Sequence, residues 1–433
     1  MPMNRTHDIA LSYGRGHLPL RLPSGAEVTE IRKRVLPKLP DQDAALAEAL
    51  ASPIGAKPLA ELAKGRKSAC ILICDITRPV PNRLFLKPMI DIMTASGIPL
   101  DRITILVATG LHRPNLGEEL AELIGDPWVL EHVRVVNHDA HDEAAHVDLG
   151  RTPTRGTPVK LDRFLVEADL RIATGLVEPH FMAGWSGGRK VIAPGVAHHE
   201  TIRTFHSARF MEDPLAVQCN LVGNPLHEEQ LQIVRMLGEV YGLNTVLDEE
   251  RALVAVTFGD ILESHAAAVE VAAGSSRVAV PRRFRTVVTS SAGYPLDKTY
   301  YQTIKGMVTP LDILEPGGTL IIASECSEGF GSSHFRAAQE RLVALGPEKF
   351  LATLTAKTLA EVDEWQTEMQ LKSMRLGKVE LYSSGLGAAD RAITGVDVVA
   401  DLDAAVAASI QRAGDAAVAV IPEGPYVIPY FAA

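Results

Sequence analysis

A chain of 433 residues exceeds what one hydrophobic core ordinarily organises, so two domains are expected. Apolar residues at 46% and charged residues at 22% are a globular composition, and 43 Lys plus Arg against 53 Asp plus Glu give a formal charge of -10. That mild acidity is spread along the chain, which argues against a nucleic-acid surface, and no segment is apolar for long enough to span a bilayer.

The N-terminal stretch MPMNRTHDIALSYGRG lacks the apolar run of a signal peptide, so a cytoplasmic protein is expected. From about residue 69, short apolar runs alternate with amphipathic stretches, the pattern of a parallel sheet with crossover helices. Ser68–Cys74 (SACILIC) reads as a buried strand and Pro81–Ser96 as a helix opened by proline. Ile103–Val107 reads as the next strand, followed by a helix over Gly117–Ile124 and strands at Val133–Val136 and Leu170–Thr174. A second alternation begins near residue 285: strand Thr286–Ser290, helix Tyr300–Val308, strand Gly318–Ala323 and helix Ser333–Leu345. Val379–Ser383, Leu402–Arg412 and Ala416–Ile421 extend it, and the Pro-interrupted tail PEGPYVIPYF suits a cover better than a central strand. The stretch Ala267–Arg283 is the expected boundary, giving domains of 1–275 and 276–433. Cys70, Cys74, Cys219 and Cys326 have no zinc, iron–sulfur or disulfide spacing and are expected to be structural.

In open α/β sheets, ligands bind beyond the carboxyl ends of the strands, so the polar residues after each strand matter most. Asp75-Ile-Thr-Arg78-Pro follows the first strand; Arg78 can fork onto a carboxylate or phosphate and Asp75 can orient it, or the pair can be a turn with a surface ion pair. Ala-Thr-Gly110-Leu-His112-Arg-Pro follows the second, where His112 can serve as a general acid or base or simply face solvent. Glu178-Pro-His180-Phe-Met-Ala-Gly184-Trp-Ser186-Gly187-Gly188-Arg-Lys190 is the densest segment: its glycines suit anion binding at the start of a helix, but the P-loop spacing is absent. Lys190 can be a point charge or a nucleophilic amine. Downstream, Pro194-Gly195 leads into a helix carrying His206, and the adjacent His198 and His199 make a poor metal pair on a helix. In the second half, Tyr301 and Lys305 share a helical face with Gln302 beside it, and Trp365 is a core residue or a pocket wall. Ser324–Gly329 follows a strand without an assignable role.

Together, the ordered set DxTRP, ATGxHRP, EPHFxxGxSGGRK, PG, His206, GNPLHEE (Gly223–Glu229) and YQxxKG resembles the nickel-pincer-nucleotide-dependent lactate racemases, from roughly Asp75 to Trp365. The resemblance implies two α/β domains with mostly parallel, helix-flanked sheets and an active site in the cleft between them. It implies a racemase or epimerase acting at C2 of a small 2-hydroxy acid through a 2-oxo acid. It also implies a nickel pyridinium-3,5-bisthiocarboxylic acid mononucleotide, covalent at Lys190, with His206 as the protein ligand to nickel. By motif position His112 and His180 match the paired catalytic histidines. Arg78 and Lys305 match the substrate-carboxylate contacts, and Tyr301, Gln302 and Trp365 line the pocket. Asp75, Ser186, Gly187 and Gly188 accompany Lys190 and Trp365 on the cofactor side. Maturation by separate cofactor-biosynthesis enzymes follows from the same resemblance; it fixes no oligomeric state.

Met182, Trp185 and Leu176 lie beside these motifs and are expected to shape the substrate side chain, with lactate as the nearest candidate. Malate, an aromatic or aliphatic hydroxy acid, or an aldonate would need the same chemistry, and Arg113 or Arg189 could supply the extra cation for a dicarboxylate. A non-enzymatic nickel or nucleotide carrier could dispense with one of the two histidines. A nicotinamide dehydrogenase is disfavoured because no GxGxxG opens either domain after a strand.

Overall fold

The structure is a computed structural model that describes residues 8–248 and 250–432. The chain divides into two compact units, each discontinuous in sequence: residues 35–205 with 214–274, and residues 1–34 with 206–213 and 275–433.

The first unit is organised on a six-stranded sheet in the order Leu253–Asp260, Tyr241–Leu247, Leu170–Leu176, Ala69–Cys74, Ile103–Ala108, Arg134–Asn137. All neighbours are parallel except the Tyr241–Leu247 and Leu253–Asp260 pair, a long hairpin that the sequence alternation does not announce. The unbroken apolar run of Ala69–Cys74 is explained by its place in the middle, where both faces are covered and five of its six residues are buried. The Asn82–Ala95 helix buries Phe85, Leu86, Met89, Ile90 and Met93, one stripe at helical spacing. Each such side chain contributes on the order of 1.5–3 kcal/mol when taken from water, so a charge at Met89 would break the stripe at its centre. The chain leaves Ala69–Cys74 towards Ile103–Ala108 and later returns on its other side as Leu170–Leu176. That reversal is the topological switch point, beyond which ligands bind in open α/β sheets.

The second unit has a six-stranded, wholly parallel sheet in the order Asp397–Val399, Lys378–Tyr382, Leu314–Ala323, Phe284–Ser290, Ala417–Ile421, Glu27–Glu30. Its edge strand therefore comes from the N-terminal segment, and an N-terminal hairpin of Asp8–Tyr13 and Gly16–Arg21 also packs into this unit through Ile9, Leu11 and Leu20. The tail strand Ile428–Phe431 pairs with Arg277–Val280 outside the main sheet, in line with a covering role. The Ser333–Leu345 helix appears where apolar spacing puts it, with Ser332 accepting from Phe335 N–H as its cap and Gly346 ending it.

All four cysteines are unpaired to one another, and burial raises the pKa of Cys70, Cys74 and Cys326, so none of these three is a poised nucleophile.

Candidate functional site

At the switch point, Asp75 closes the central strand and is almost fully buried. Its Oδ2 accepts a 2.6 Å hydrogen bond from His112 Nδ1, while Oδ1 accepts from the Thr77 hydroxyl at 2.6 Å and the Thr77 N–H at 3.2 Å. Burial opposes the charge on Asp75, but the bond and charge of His112, the Thr77 hydroxyl and Arg78 outweigh it and hold the carboxyl below its ordinary range. A carboxylate at Nδ1 fixes the neutral tautomer: Nδ1 carries the proton and Nε2 presents a lone pair. The His112 side chain is 63% exposed, so that lone pair is accessible to a reactant. Gly110, at φ 56, makes the turn that brings His112 round; its N–H donates to Gly195 O at 2.9 Å, and the Thr109 hydroxyl donates to His138 O at 2.7 Å.

Arg78 forms an ion pair with Glu178, which follows the neighbouring Leu170–Leu176 strand. His180 lies two residues further on, in a short hairpin of Pro179–His180 with Gly184–Trp185. Its Nδ1 lies 3.3 Å from Met182 N–H and 3.2 Å from Ala183 N–H and accepts from both, which leaves the neutral ring's proton on Nε2. The two histidines thus flank the central strand end in opposite tautomers. Gly184, at φ 78, is demanded by close approach, since a Cβ there would lie 2.2 Å from Asn220 O.

The glycine loop is held by buried polar groups. Ser186 Oγ donates to Leu176 O at 2.7 Å and accepts from Glu178 N–H at 2.9 Å, while Ser186 N–H donates to Glu178 O at 3.0 Å. Gly188 N–H donates to Asn244 Oδ1 at 3.2 Å, and a Cβ at Gly188 would meet the His265 ring at 2.9 Å. Arg189 is wholly buried, donates to Ala183 O at 2.8 Å and has a guanidinium nitrogen 3.1 Å from His265 Nε2; burial pushes its pKa down to about 9. The helix carrying Lys190 is the single turn Arg189–Ile192, too short for an appreciable N-terminal dipole, so the expected anion site at a helix start is not what the fold builds. Met182, Trp185 and Leu176 are also buried; Trp185 packs on Val177 and Val246 in an apolar cluster.

His206, Tyr301, Gln302, Lys305 and Trp365 belong to the other unit. His206 lies in a turn and not on a helix: His199–Phe205 ends before it because Ser207 must be extended (ψ 158) to start Ala208–Met211. Its ring centroid is 4.9 Å from that of Trp365, on the Glu364–Leu376 helix. Tyr301, Gln302 and Lys305 lie on the Tyr300–Val308 helix. Burial, reinforced by Asp363, pushes the Tyr301 hydroxyl far up, although a hydrogen bond with Trp365 acts the other way. Gln302 Oε1 is buried and meets no hydrogen-bond donor among the described residues. His198 and His199 bring their rings within 4.2 Å, because His198 precedes the helix that His199 opens. Even so, no group of three or more His, Cys, Asp or Glu side chains converges as a metal cage among the described residues.

Two family models match the chain: a lactate racemase N-terminal domain over residues 13–218 and a lactate racemase C-terminal domain over residues 282–429. The lactate racemase of Lactiplantibacillus plantarum is 33% identical over 397 residues, covering 90% of this chain and 91% of that one. The chain belongs to the lactate racemase family. It is accordingly an enzyme of the isomerase class. A second lactate racemase, from Thermoanaerobacterium thermosaccharolyticum, is 33% identical over 332 residues, 76% of each chain. The solved apoprotein of the lactate racemase from that organism superposes with a TM-score of 0.90 at 29% identity, covering 98% of this chain and all (100%) of that one. A Thermotoga maritima protein shares the fold at a TM-score of 0.67 and 18% identity, over 92% of this chain and 100% of that one.

The sequence reading passed over Glu178, Asn244, Ser264 and His265 as functional supports. Glu178 stood inside a quoted motif, yet nothing local showed that its carboxylate would meet Arg78. Asn244, on a strand of the hairpin that the alternation missed, interacts at 3.2 Å with Ser264 on the Ile261–Ser276 helix that follows it.

Proposed function

We propose that the chain inverts C2 of lactate, or of a 2-hydroxy acid close to it, through a planar 2-oxo acid, as a cytoplasmic enzyme. The observation that carries this reading is the buried Asp75 carboxylate bonded to His112 Nδ1, which leaves an accessible lone pair on Nε2. The likeness to two named lactate racemases supports the substrate class.

Family membership implies the nickel-pincer nucleotide, and the donor set fits such a group. Because no cage of three or more ligating side chains is present among the described residues, a metal here would need to arrive with most of its own donors. The single imidazole of His206 would complete the set, Lys190 would carry the covalent link, and Gly187 and Gly188 with Ser186 would shape the loop around it. The unsatisfied Gln302 Oε1 offers an acceptor for a hydroxyl or amide of the bound molecules. Separate biosynthetic enzymes would supply the group. When bound, it supplies an acceptor for the C2 hydrogen as hydride, which matters because a carboxylate already bears the charge that proton loss from C2 would increase.

The protein's part is orientation and proton movement. Arg78 and Lys305 hold the substrate carboxylate, and Tyr301, Gln302 and Trp365 confine the rest. His112 Nε2 takes the hydroxyl proton, and Asp75 stabilises the resulting imidazolium without taking the proton itself. His180, from the other side of the central strand, hydrogen-bonds the substrate oxygen through Nε2–H; a proton passed through solvent from the His112 imidazolium makes it the acid that reprotonates that oxygen when C2 is rebuilt on its other face, leaving both rings neutral. In this division of labour residues 1–275 supply cofactor attachment and acid–base chemistry, and residues 276–433 supply pocket contacts.

The test is intact mass and nickel content of protein co-produced with the cofactor-synthesis enzymes, followed by optical assay of D- and L-lactate. An adduct on Lys190, bound nickel and loss of optical activity from either enantiomer are expected. A loaded protein that leaves both enantiomers unchanged would overturn the lactate reading and direct attention to malate, larger hydroxy acids and aldonates.

A further inference from the structure

We propose that Glu178 is a specificity-determining residue: an internal counter-ion seated on Arg78 that the substrate carboxylate must displace or share. This rests on the reading above, in which Arg78 receives that carboxylate.

The observation is the Arg78–Glu178 ion pair, with side chains 30% and 25% exposed, so solvent and other ions can reach it. Glu178 is not adrift. Its N–H and C=O are both tied to Ser186 at 2.9 and 3.0 Å, and the Ser186 hydroxyl is tied to Leu176 O at 2.7 Å. Its backbone is thus set by the same loop that carries Lys190, and only its side chain has freedom to withdraw.

The local charges give the pair its consequence. Asp75 and Glu178 place two carboxylates around one guanidinium. The two other arginines of the neighbouring motifs are engaged elsewhere. Arg113 is forked onto Glu119 at 2.8 and 2.7 Å, and Arg189 is wholly buried and bonded to Ala183 O. At Arg78, an incoming carboxylate therefore exchanges one ion pair for another, with little net electrostatic gain there. One carboxylate can make that exchange. A second would approach Asp75 and the released Glu178, while Arg113 and Arg189 stay committed. Glu178 thus acts as a charge filter, protecting Arg78 from remaining unpaired and disfavouring doubly charged acids.

The experiment compares Glu178→Gln with the parent, both loaded with cofactor and matched by adduct mass. Glutamine keeps the size and both backbone bonds but removes the charge. Steady-state KM and kcat for lactate are measured, with competitive inhibition constants for propionate and malonate. Without the resident carboxylate, KM should fall roughly two- to ten-fold, with kcat changing less, and the malonate constant should fall by a larger factor than the propionate constant. An unchanged or raised KM, or equal factors for the two inhibitors, overturns the inference. Repeating the substitution with Arg78→Ala should abolish the difference; a Glu178→Gln effect that survives shows that it does not act through Arg78. A loaded parent that fails to interconvert lactate defeats the underlying reading and this inference with it. A working parent with a Glu178→Gln variant of unimproved KM defeats the inference alone.

Discussion

Asp75→Asn is the substitution whose outcome the geometry determines most fully. Asp75 Oδ1 faces two donors, the Thr77 hydroxyl and N–H, while Oδ2 faces only His112 Nδ1. Asparagine has one oxygen to place. Turning it to Thr77 satisfies both donors; turning it to His112 would leave the Thr77 N–H facing an NH2 group, costing about 1–3 kcal/mol for that unsatisfied donor in a buried setting, although the hydroxyl could turn to accept. The amide nitrogen therefore points at His112 Nδ1 and donates to it, and the ring's proton moves to Nε2. The volume is unchanged and the base is gone. General-base catalysis with its orienting carboxylate is worth about 10²–10⁴ in rate, so kcat should fall by that factor while KM moves little. The assay is loss of circular dichroism from L-lactate and from D-lactate, normalised to the fraction of chains carrying the adduct. A loaded variant with kcat within about threefold of the parent, well short of a lost base, and with an unaltered pH profile would refute the assignment of His112 as an Asp75-oriented base.

Other expectations follow from the same contacts. Lys190→Ala should yield folded protein without the mass adduct, and an adduct that persists would remove Lys190 from its proposed role. Gly184→Ala should destabilise the fold by about 2–4 kcal/mol in urea denaturation, because the new Cβ would strike Asn220 O at 2.2 Å from a backbone at φ 78; an unchanged midpoint would contradict the close approach. His265, buried and beside Arg189, has its pKa lowered to about 3, while the unfolded chain's histidine titrates near about 6.5. Its contribution to stability is therefore complete above pH ~6.5 and is lost as pH falls towards ~3, with a loss of at most about 2 kcal/mol at pH 5. Urea midpoints at pH 7 and pH 5 should show a smaller drop for His265→Asn than for the parent; an equal drop would show that this ring is not the group responsible.

Much of the fold was legible because local pattern and burial agree. SACILIC reads as a central strand because it is covered on both faces, and Ser332 and Gly346 bracket the Ser333–Leu345 helix as their side chains and backbone preferences require. What escaped was long-range or marginal. Glu27–Glu30 has only four residues and no apolar run; it is a strand because Ala417–Ile421 offers it an edge from the far end of the sequence. Likewise, apolar spacing allowed His199–Phe205 to continue through His206, but the extended backbone at Ser207 ends it. At the site, the histidines, lysine and arginine were visible as strand-end chemistry. The sequence could not show their second partners: that His112 would take Asp75 as carboxylate, or that Arg78 would meet Glu178.

The unequal settings of the two histidines carry a consequence for the kinetics. Lactate enantiomers have equal free energy in water, so kcat/KM for the two directions must be identical at every pH, however asymmetric the enzyme is. The asymmetry is nevertheless real: His112 presents a lone pair at Nε2, whereas the two amides on Nδ1 of His180 give it an Nε2–H. On the proposed mechanism, the enantiomer whose hydroxyl meets His112 finds a ready base. The one whose hydroxyl meets His180 finds a hydrogen-bond donor and must wait for a proton to move, so part of what binds is not productive. Non-productive binding lowers kcat and KM by the same factor and leaves their ratio intact. One enantiomer should therefore show both the lower kcat and the lower KM, and His180→Gln, which keeps a donor but cannot take up the proton, should reduce turnover in both directions. Equal kcat and equal KM for D- and L-lactate across the pH range would mean that the amides at Met182 and Ala183 do not hold His180 in one protonation state during turnover.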